Sequence, residues 1–168
     1  MKAAAIGAAL ALAASGAALA QAPATPPLPP PPARAPAAAA AVDLAQTAIA
    51  ACAANGYKVT AVVLNAAGAE RVMIVGDGAA DITGAIGARK AFTAITFKAP
   101  SGAVGDRAKT DPALAAQIKA DPRLITWAGG EPLMVKGELI GALGVSGAPG
   151  GDKDDACAAA AISKVKLG

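Results

Sequence analysis

The stretch from Trp127 to Ala161 constrains the fold of this chain more than any other part of it. Leu133–Val135 and Leu139–Val145 are apolar runs of strand length, and only Lys136-Gly137-Glu138 separates them. A charged loop with a central glycine between two such runs is typical of a β-hairpin. The sequence therefore predicts a strand, a tight turn and a second strand, which together require an antiparallel pair.

A glycine-rich turn and a helix start follow this hairpin. In the run 146–151, SGAPGG, the chain can turn sharply and its backbone can approach another group closely. Asp152 then occupies the position expected of a helix N-cap, with Asp154 and Asp155 in the first helical turn. We predict a last helix capped by Asp152. Metal binding by these three aspartates is the weaker alternative, because carboxylates in a first turn usually cap the helix and stay solvated.

Histidine is absent from the sequence, and its absence excludes several classes of protein. Ser-His-Asp and Cys-His catalysis, His-ligated zinc and His-ligated haem are all excluded as they are usually built. Ser146 also lacks the G-x-S-x-G spacing of a nucleophile elbow. The formal net charge is only +3 and aromatic residues make up 2% of the chain, so no nucleic-acid partner is indicated.

The first 41 residues have the composition of an export signal followed by a linker. Lys2, the apolar run Ala3–Ala14 and the small-x-small site Ala18-Leu19-Ala20 are the three parts of a secretory signal peptide. Residues 21–41 are almost entirely proline and alanine, which predicts an extended, disordered tether. We expect a signal peptide at 1–20, a tether at 21–41 and a folded domain at 42–168. The protein is then periplasmic or secreted, with no membrane contact after cleavage.

The first half of the expected domain contains a helix, a hairpin and a long second helix. Asp43 is predicted to cap the first helix. Strands are expected at Val59–Leu64 and Glu70–Val75, joined by a turn with a glycine at its exit. The second helix is expected from Ile82 to about Lys98, and four residues at helical spacing predict its buried face: Ala85, Ala88, Phe92 and Ile95.

The second half begins with short helices and a further strand. Asp111-Pro112 predicts a capped helix start, because proline is favoured at the first helical position. Leu124–Trp127 is expected to form a strand before the hairpin already described. Hairpins rather than crossovers connect the strands, so the sheet should be antiparallel. The order of elements predicts an α+β fold with helices packed on that sheet in two or three layers.

The two cysteines lie on the first and last expected helices. Cys52 is near the end of the first helix and Cys157 is near the start of the last one. Two cysteines in an exported protein are expected to form a disulfide, which here closes a loop of about a hundred residues. The alternative is a pair of small buried side chains that do not meet.

Several motifs resemble those of the GlcG/HbpS haem-binding family, which includes the C-terminal domain of PduO-type proteins. They are Leu139–Pro149, the preceding Gly129–Leu133, and Arg89–Ala94 on the second helix. The resemblance covers the chain from Val42 to its end. It implies a profilin-like fold with roughly five antiparallel strands flanked by helices, homo-oligomeric assembly, and, in some members, binding of haem, iron or a corrinoid.

The resemblance also implies candidate ligand-binding residues, although this chain lacks the histidine that would hold a haem iron. The axial ligand would then come from Met73, Met134, Tyr57 or a threonine hydroxyl. For each methionine the alternative is a core side chain, and for each threonine it is a hydroxyl bonded to the preceding turn. The remaining candidates are two threonines, two cations for the haem propionates and a turn that shapes the groove: Thr93, Thr96, Arg89, Lys90, Ser146 and Gly147.

Three functions therefore compete. The favoured one is an exported ligand-binding module that binds haem, another tetrapyrrole or iron without histidine ligation. The second is an enzyme acting on a small organic acid, held by Ser146 and the backbone amides ahead of Asp152. The third is a structural, oligomeric interaction protein whose glycines permit close packing between subunits. An enzyme is the less favoured class, because the aspartates at the helix start repel an anion.

Overall fold

The computed structural model describes residues 31–167, which form five helices and four strands. In chain order these are α1 Ala38–Ala53, β1 Thr60–Asn65, β2 Glu70–Val75, α2 Ile82–Phe97, α3 Ser101–Ala108, α4 Pro112–Ala120, β3 Gly130–Val135, β4 Glu138–Ser146 and α5 Gly151–Lys164. The expected signal peptide at 1–20, and residues 21–30 of the expected tether, lie outside the described residues. Within residues 31–167, no helix has the length and apolarity needed to cross a bilayer.

The four strands form one antiparallel sheet in the order β2-β1-β4-β3. Both predicted hairpins are present, and β1 and β4 pair with each other to join them. Because side chains alternate along a strand, Val62 and Leu64 of β1 face α2, while Ala61 and Val63 face α1 and α5. The α+β class and the antiparallel sheet are confirmed.

Helices cover both faces of the sheet. On one face, α1 and α5 pack against each other and enclose the larger core, which includes Leu44, Val63 and Leu143. On the other face α2 packs on β1, β4 and β3, and α3 and α4 follow beside it. The domain therefore has three layers, with α2 as the main helix of the second face.

The sheet has four strands rather than the five expected, because Leu124–Trp127 is not a strand. Its backbone hydrogen-bonds a helix side chain instead of a neighbouring strand. Thr93 Oγ1 on α2 accepts from Ile125 N at 2.9 Å and lies 2.9 Å from Ile125 O. A buried threonine thus satisfies the polar groups that a strand ladder would otherwise pair.

The buried face of α2 also differs from the prediction. Ala85 is exposed, and Ala88, Phe92 and Ile95 are only partly buried. Small residues face the sheet instead, because the helix backbone lies directly on β4: a Cβ on Gly144 would come 2.0 Å from Gly87 O. Glycine is required at that contact. The predicted face was based on the spacing of apolar side chains, which takes no account of glycine.

Helix α1 begins at Ala38, five residues before its predicted cap at Asp43. The alanines that precede Asp43 are strong helix formers, and Ala41 is fully buried. Upstream, Pro36 is also fully buried and Ala66 N donates to Arg34 O at 2.9 Å. The expected boundary between tether and domain at residue 41 therefore falls inside a packed helix.

The predicted disulfide between Cys52 and Cys157 is present, with Cα atoms 5.5 Å apart. It joins the end of α1 to α5 across a sequence separation of 105 residues. Both sulfurs lie in the larger core, where Cys52 is fully buried. The bond fixes the two helices of the first layer against each other.

Candidate functional site

Two concave surfaces lie on opposite flanks of α2. Each residue advances an α-helix by about 100°, so Ala88 and Phe92 point to one flank while Ile86 and Lys90 point to the other. The first surface, the Phe92 groove, has a volume of about 600 Å³. The second, the Ser146 cleft, has a volume of about 330 Å³. Of the predicted site residues, Arg89 lines the groove, and Lys90, Ser146 and Gly147 line the cleft.

The Phe92 groove is bounded by the turn between β1 and β2 at residues 67–70, by α2 and by Pro122. The Phe92 ring lies against the turn, since a Cβ on Gly68 would come 2.8 Å from Phe92 Cε2. Gly68 also has φ +82°, a conformation that glycine adopts without strain. An apolar floor with one aromatic face results.

Two guanidinium groups stand at the rim of this groove. Arg123 lies over the Phe92 ring, with its Cζ 4.5 Å from the ring centroid, and is held in a fork by Asp121. The Arg123 hydrogen bonds lower the pKa of Asp121 to about 2. Arg89 Nη2 donates to Leu124 O at 3.0 Å, and the side chain is otherwise exposed. Arg89 was predicted as a propionate partner, whereas Arg123 was missed because nothing local links it to Phe92.

The threonine hydroxyls are occupied within the protein. Thr93 is fully buried and bonded to the Ile125 backbone, and its Oγ1 also lies 3.0 Å from Arg89 O. Thr96 is exposed and its hydroxyl donates to Phe92 O at 2.8 Å. Neither residue lines the groove or the cleft. The alternative interpretation of both residues, a hydroxyl bonded to the preceding turn, matches these contacts.

The two methionines lie far apart. Met73 is on β2 and Met134 is on β3, which are the two opposite edges of the sheet. Each is about 40% exposed, and neither lines the groove or the cleft. Tyr57 follows α1 and also lines neither. Within one subunit, one iron therefore cannot have both methionines as ligands, and residues 31–167 contain no cluster of three acidic or cysteine side chains suited to a metal ion.

A buried ion pair forms the floor of the Ser146 cleft. Lys90 Nζ donates to Asp154 Oδ2 at 2.7 Å and to Val145 O at 3.0 Å. The Lys90 and Asp154 side chains are only 2% and 5% exposed. Arg89 and Lys90, the two cations predicted for the haem propionates, therefore leave α2 in different directions, and the Lys90 ammonium is buried in its pair with Asp154.

Asp154 has further partners that fix its position. Its Oδ1 accepts from Ala148 N at 2.9 Å. Burial raises the pKa of the Asp154 carboxyl, while the hydrogen bonds from Lys90 and Ala148 lower it. Gly129 packs beside the pair at φ +115°, where a Cβ would come 2.7 Å from Asp154 Cβ and 3.0 Å from Lys90 Nζ. Sequence reasoning missed this pair, because each residue is usually solvated when considered alone.

The three aspartates of α5 lie in three different environments. Asp152 is exposed beside Lys153 and makes no capping hydrogen bond, since Gly150 at φ +128° is the N-cap. The predicted Asp152 cap is therefore wrong. Asp155 Oδ1 accepts from Gly129 N at 3.1 Å. Burial raises the pKa of the neighbouring Glu131 to about 8, with support from its hydrogen bond to Asp155 and from the Asp155 charge. Burial and the neighbouring Asp155 charge thus both favour the protonated form of Glu131.

Ser146 and Gly147 both line the cleft, as the predicted turn requires. Ser146 is 5% exposed, and among residues 31–167 no buried side-chain nitrogen or oxygen lacks a hydrogen-bond partner. Gly147 has φ +130°, and a Cβ there would come 2.4 Å from Lys58 O. The backbone at 147 therefore has no room for a side chain. The single tryptophan of the chain, Trp127, forms the opposite wall and is 59% exposed.

Solved structures of related proteins share this fold. HbpS is 32% identical, covering 79% of this chain and 91% of its own, with a TM-score of 0.72. A double mutant of HbpS from Streptomyces reticuli is also 32% identical, covering 84% and 97%, with a TM-score of 0.73. A complex of PduOC with haem is 25% identical, covering 80% and 97%, with a TM-score of 0.71. No curated protein sequence matches the chain significantly.

The family model described as "Haem degrading protein HbpS-like" matches residues 37–163. The match runs from the residue before α1 to the last turn of α5, so it covers all four strands and both concave surfaces. It confirms the resemblance to the GlcG/HbpS family seen in the sequence. This chain belongs to the HbpS-like family.

Proposed function

We propose that the protein is an exported haem-binding module and that haem binds in the Phe92 groove. Its relatives include PduOC in its complex with haem, at 25% identity over 80% of this chain. The observation that carries the proposal is the groove itself, which combines an apolar floor with two guanidinium groups at its rim. This is the polarity of haem, a flat apolar macrocycle with two carboxylates on one edge.

The residues of the groove fit the macrocycle better than they fit the iron. Phe92 contributes aromatic surface to the lining of the groove, and Arg89 can pair with a propionate through charge-assisted hydrogen bonds. Arg123 is already held by Asp121, so it contributes through stacking on Phe92 and through its charge at the rim. Among the lining residues only Glu70 carries a side-chain donor for iron, an exposed carboxylate. Bound haem would supply redox-active iron.

Export is supported by the disulfide, because such bonds persist in oxidising compartments and are rare in the cytosol. Together with the expected signal peptide at 1–20, the bond favours a periplasmic or secreted protein. Homo-oligomeric assembly is part of the same proposal. Exposed apolar side chains on β2 and at the start of α2, namely Met73, Val75 and Ile82, are suited to subunit contact.

Titration of the purified protein with hemin tests the proposal. We expect a saturable Soret band that differs from that of free hemin. Arg89→Ala should weaken binding by about threefold to tenfold, since one exposed charge-assisted contact is lost. Arg107→Ala is the matched control, because Arg107 is an exposed arginine on α3 outside the groove. A spectrum identical to that of free hemin, or equal losses in the two variants, would overturn the proposal.

A further inference from the structure

The lining of the Phe92 groove includes one acidic side chain, that of Glu70. Glu70 is exposed and belongs to none of the ion pairs within residues 31–167. The residues that the sequence suggested as iron ligands, Met73, Met134 and Tyr57, all lie outside the groove. The Glu70 carboxylate is therefore the one side-chain group of the lining that is available to a metal ion.

A β-bulge at the start of β2 turns Glu70 into the groove. Val63 pairs with Val72, and the next residue of β1, Leu64, pairs with Glu70. One residue of β2, Arg71, is thus extra, which makes a bulge. Without the bulge, alternation would place Glu70 on the side of Val72, which packs against the core under α1 and α5. With the bulge, Glu70 lies opposite Leu64 and shares its face of the sheet, which α2 covers.

The acidic and basic groups of the groove belong to different elements. Glu70 is on the wall formed by β2 and the turn before it, whereas Arg89 is on α2 and Arg123 follows Pro122. Among the described residues no ion pair joins Glu70 to either arginine. A ligand in the groove therefore meets two cations at the rim and a carboxylate on another wall.

This arrangement matches the two kinds of charge that ferric haem carries. The propionates are anions at one edge of the macrocycle, and the ferric iron is a hard cation at its centre. Arginine is suited to the propionates. An anionic oxygen is an established type of haem ligand, since tyrosine holds the iron in some haem proteins, and a carboxylate supplies the same kind of donor.

We propose that the Glu70 carboxylate is an axial ligand of haem iron in the Phe92 groove. This inference rests on the haem binding proposed above and adds to it the residue that binds the metal. One carboxylate oxygen donates an electron pair to the ferric iron, and the negative charge of Glu70 favours the ferric over the ferrous state. Glu70 therefore distinguishes haem from the same macrocycle without iron.

Two porphyrins test the role of Glu70 separately from the rest of the groove. The full chain, prepared without a histidine tag, is titrated with hemin and with metal-free protoporphyrin IX, which has the same propionates and no iron. Glu70→Gln removes the charge and keeps the shape. It should weaken hemin binding about tenfold or more, a size typical of lost contacts at metal sites, and leave the affinity for protoporphyrin IX unchanged.

Two comparison variants make this result specific. Arg89→Ala should weaken the binding of both porphyrins, because a propionate contact does not involve the iron. Asp81→Asn makes the same change from carboxylate to amide at an exposed residue outside the groove, where the side chain makes no capping hydrogen bond. It should leave the affinity for both porphyrins unchanged.

Glu70→His gives a positive readout, because this chain contains no histidine of its own. An imidazole at position 70 should hold the iron more strongly than a carboxylate, since histidine is a common proximal ligand of haem. After reduction, resonance Raman spectra should show an iron–imidazole stretching band in Glu70→His and none in the unaltered protein. Asp81→His places the same group outside the groove and should not give the band.

The results distinguish failure of this inference from failure of the proposed function. If neither hemin nor protoporphyrin IX binds the unaltered protein, haem binding in the groove is itself wrong, and the role of Glu70 is overturned with it. If both porphyrins bind but Glu70→Gln changes neither affinity, or lowers both equally, Glu70 is not the iron ligand although the groove still binds the macrocycle. Absence of the iron–imidazole band from haem-loaded Glu70→His would also overturn the assignment. A loss specific to hemin in Glu70→Gln, together with the band in Glu70→His, supports it.

Discussion

Removing Lys90 should cost far more stability than removing an equivalent surface lysine. In Lys90→Met, Asp154 loses the partner that lies 2.7 Å away while staying 5% exposed. A buried charge left without its partner costs about 3 to 5 kcal/mol of unfolding free energy. Lys109 offers a matched control, because its Nζ also lies 2.7 Å from a carboxylate oxygen, that of Asp106, but both side chains are about three-quarters exposed. Lys109→Met should cost at most about 0.5 kcal/mol.

A second mutation, at Asp154, tests whether the unpaired Asp154 charge causes the loss of stability. Asp154→Asn is neutral and keeps an oxygen that can accept from Ala148 N. In the double variant Lys90→Met/Asp154→Asn no buried charge remains, so it should be more stable than Lys90→Met alone by about 2 to 3 kcal/mol. Urea unfolding of the unaltered protein, the three single variants and the double variant at neutral pH measures these differences. The reasoning is refuted if Lys90→Met loses no more than Lys109→Met, or if the double variant shows the sum of the single losses.

Two further predictions concern the disulfide and the carboxyl pair. Replacing Cys52 and Cys157 with alanine should lower the unfolding free energy by about 4 to 5 kcal/mol, which is the loop-entropy value for a separation of 105 residues. Denaturant unfolding measures this loss, and a loss below about 1 kcal/mol would contradict the prediction. Glu131 has a raised pKa, from the usual 4.5 to about 8, so the folded protein holds a proton that the unfolded chain releases, and stability should fall as pH rises between these values. Glu131→Gln stays neutral throughout and should reduce this loss. Urea midpoints of both proteins, measured at both ends of that pH range, test this prediction. If the midpoint changes equally in the two proteins, Glu131 is not the origin of the loss.

Local patterns were sufficient to predict the hairpins and one helix cap. Glu70–Val75 forms β2 with the expected bounds, because alternation and flanking glycines are properties of adjacent residues. The cap at Asp111 is also present, where its Oδ1 accepts from Leu114 N. These features depend on interactions within a few residues, which the sequence shows directly.

The features that were not predicted correctly depend on contacts between residues that are distant in the sequence. Lys90 and Asp154 are 64 positions apart, and neither has a local reason to be buried. The contact between Gly87 and Gly144 decides which face of α2 meets the sheet, yet glycine adds nothing to an apolar periodicity. Leu124–Trp127 has the composition of a strand, but Thr93 takes up its hydrogen bonds. In each case a tertiary contact overrides a local preference.

The disulfide between α1 and α5 implies an order of local unfolding. It ties together only the helices on one face of the sheet, so it does not resist detachment of α2, α3 and α4 on the other face. Helix α4 packs chiefly on α3, and its backbone amides should exchange with solvent deuterium first. Both concave surfaces use α2, which belongs to the face without the covalent bond. Ligands bound there would therefore slow hydrogen exchange most in the part of the domain that opens most readily.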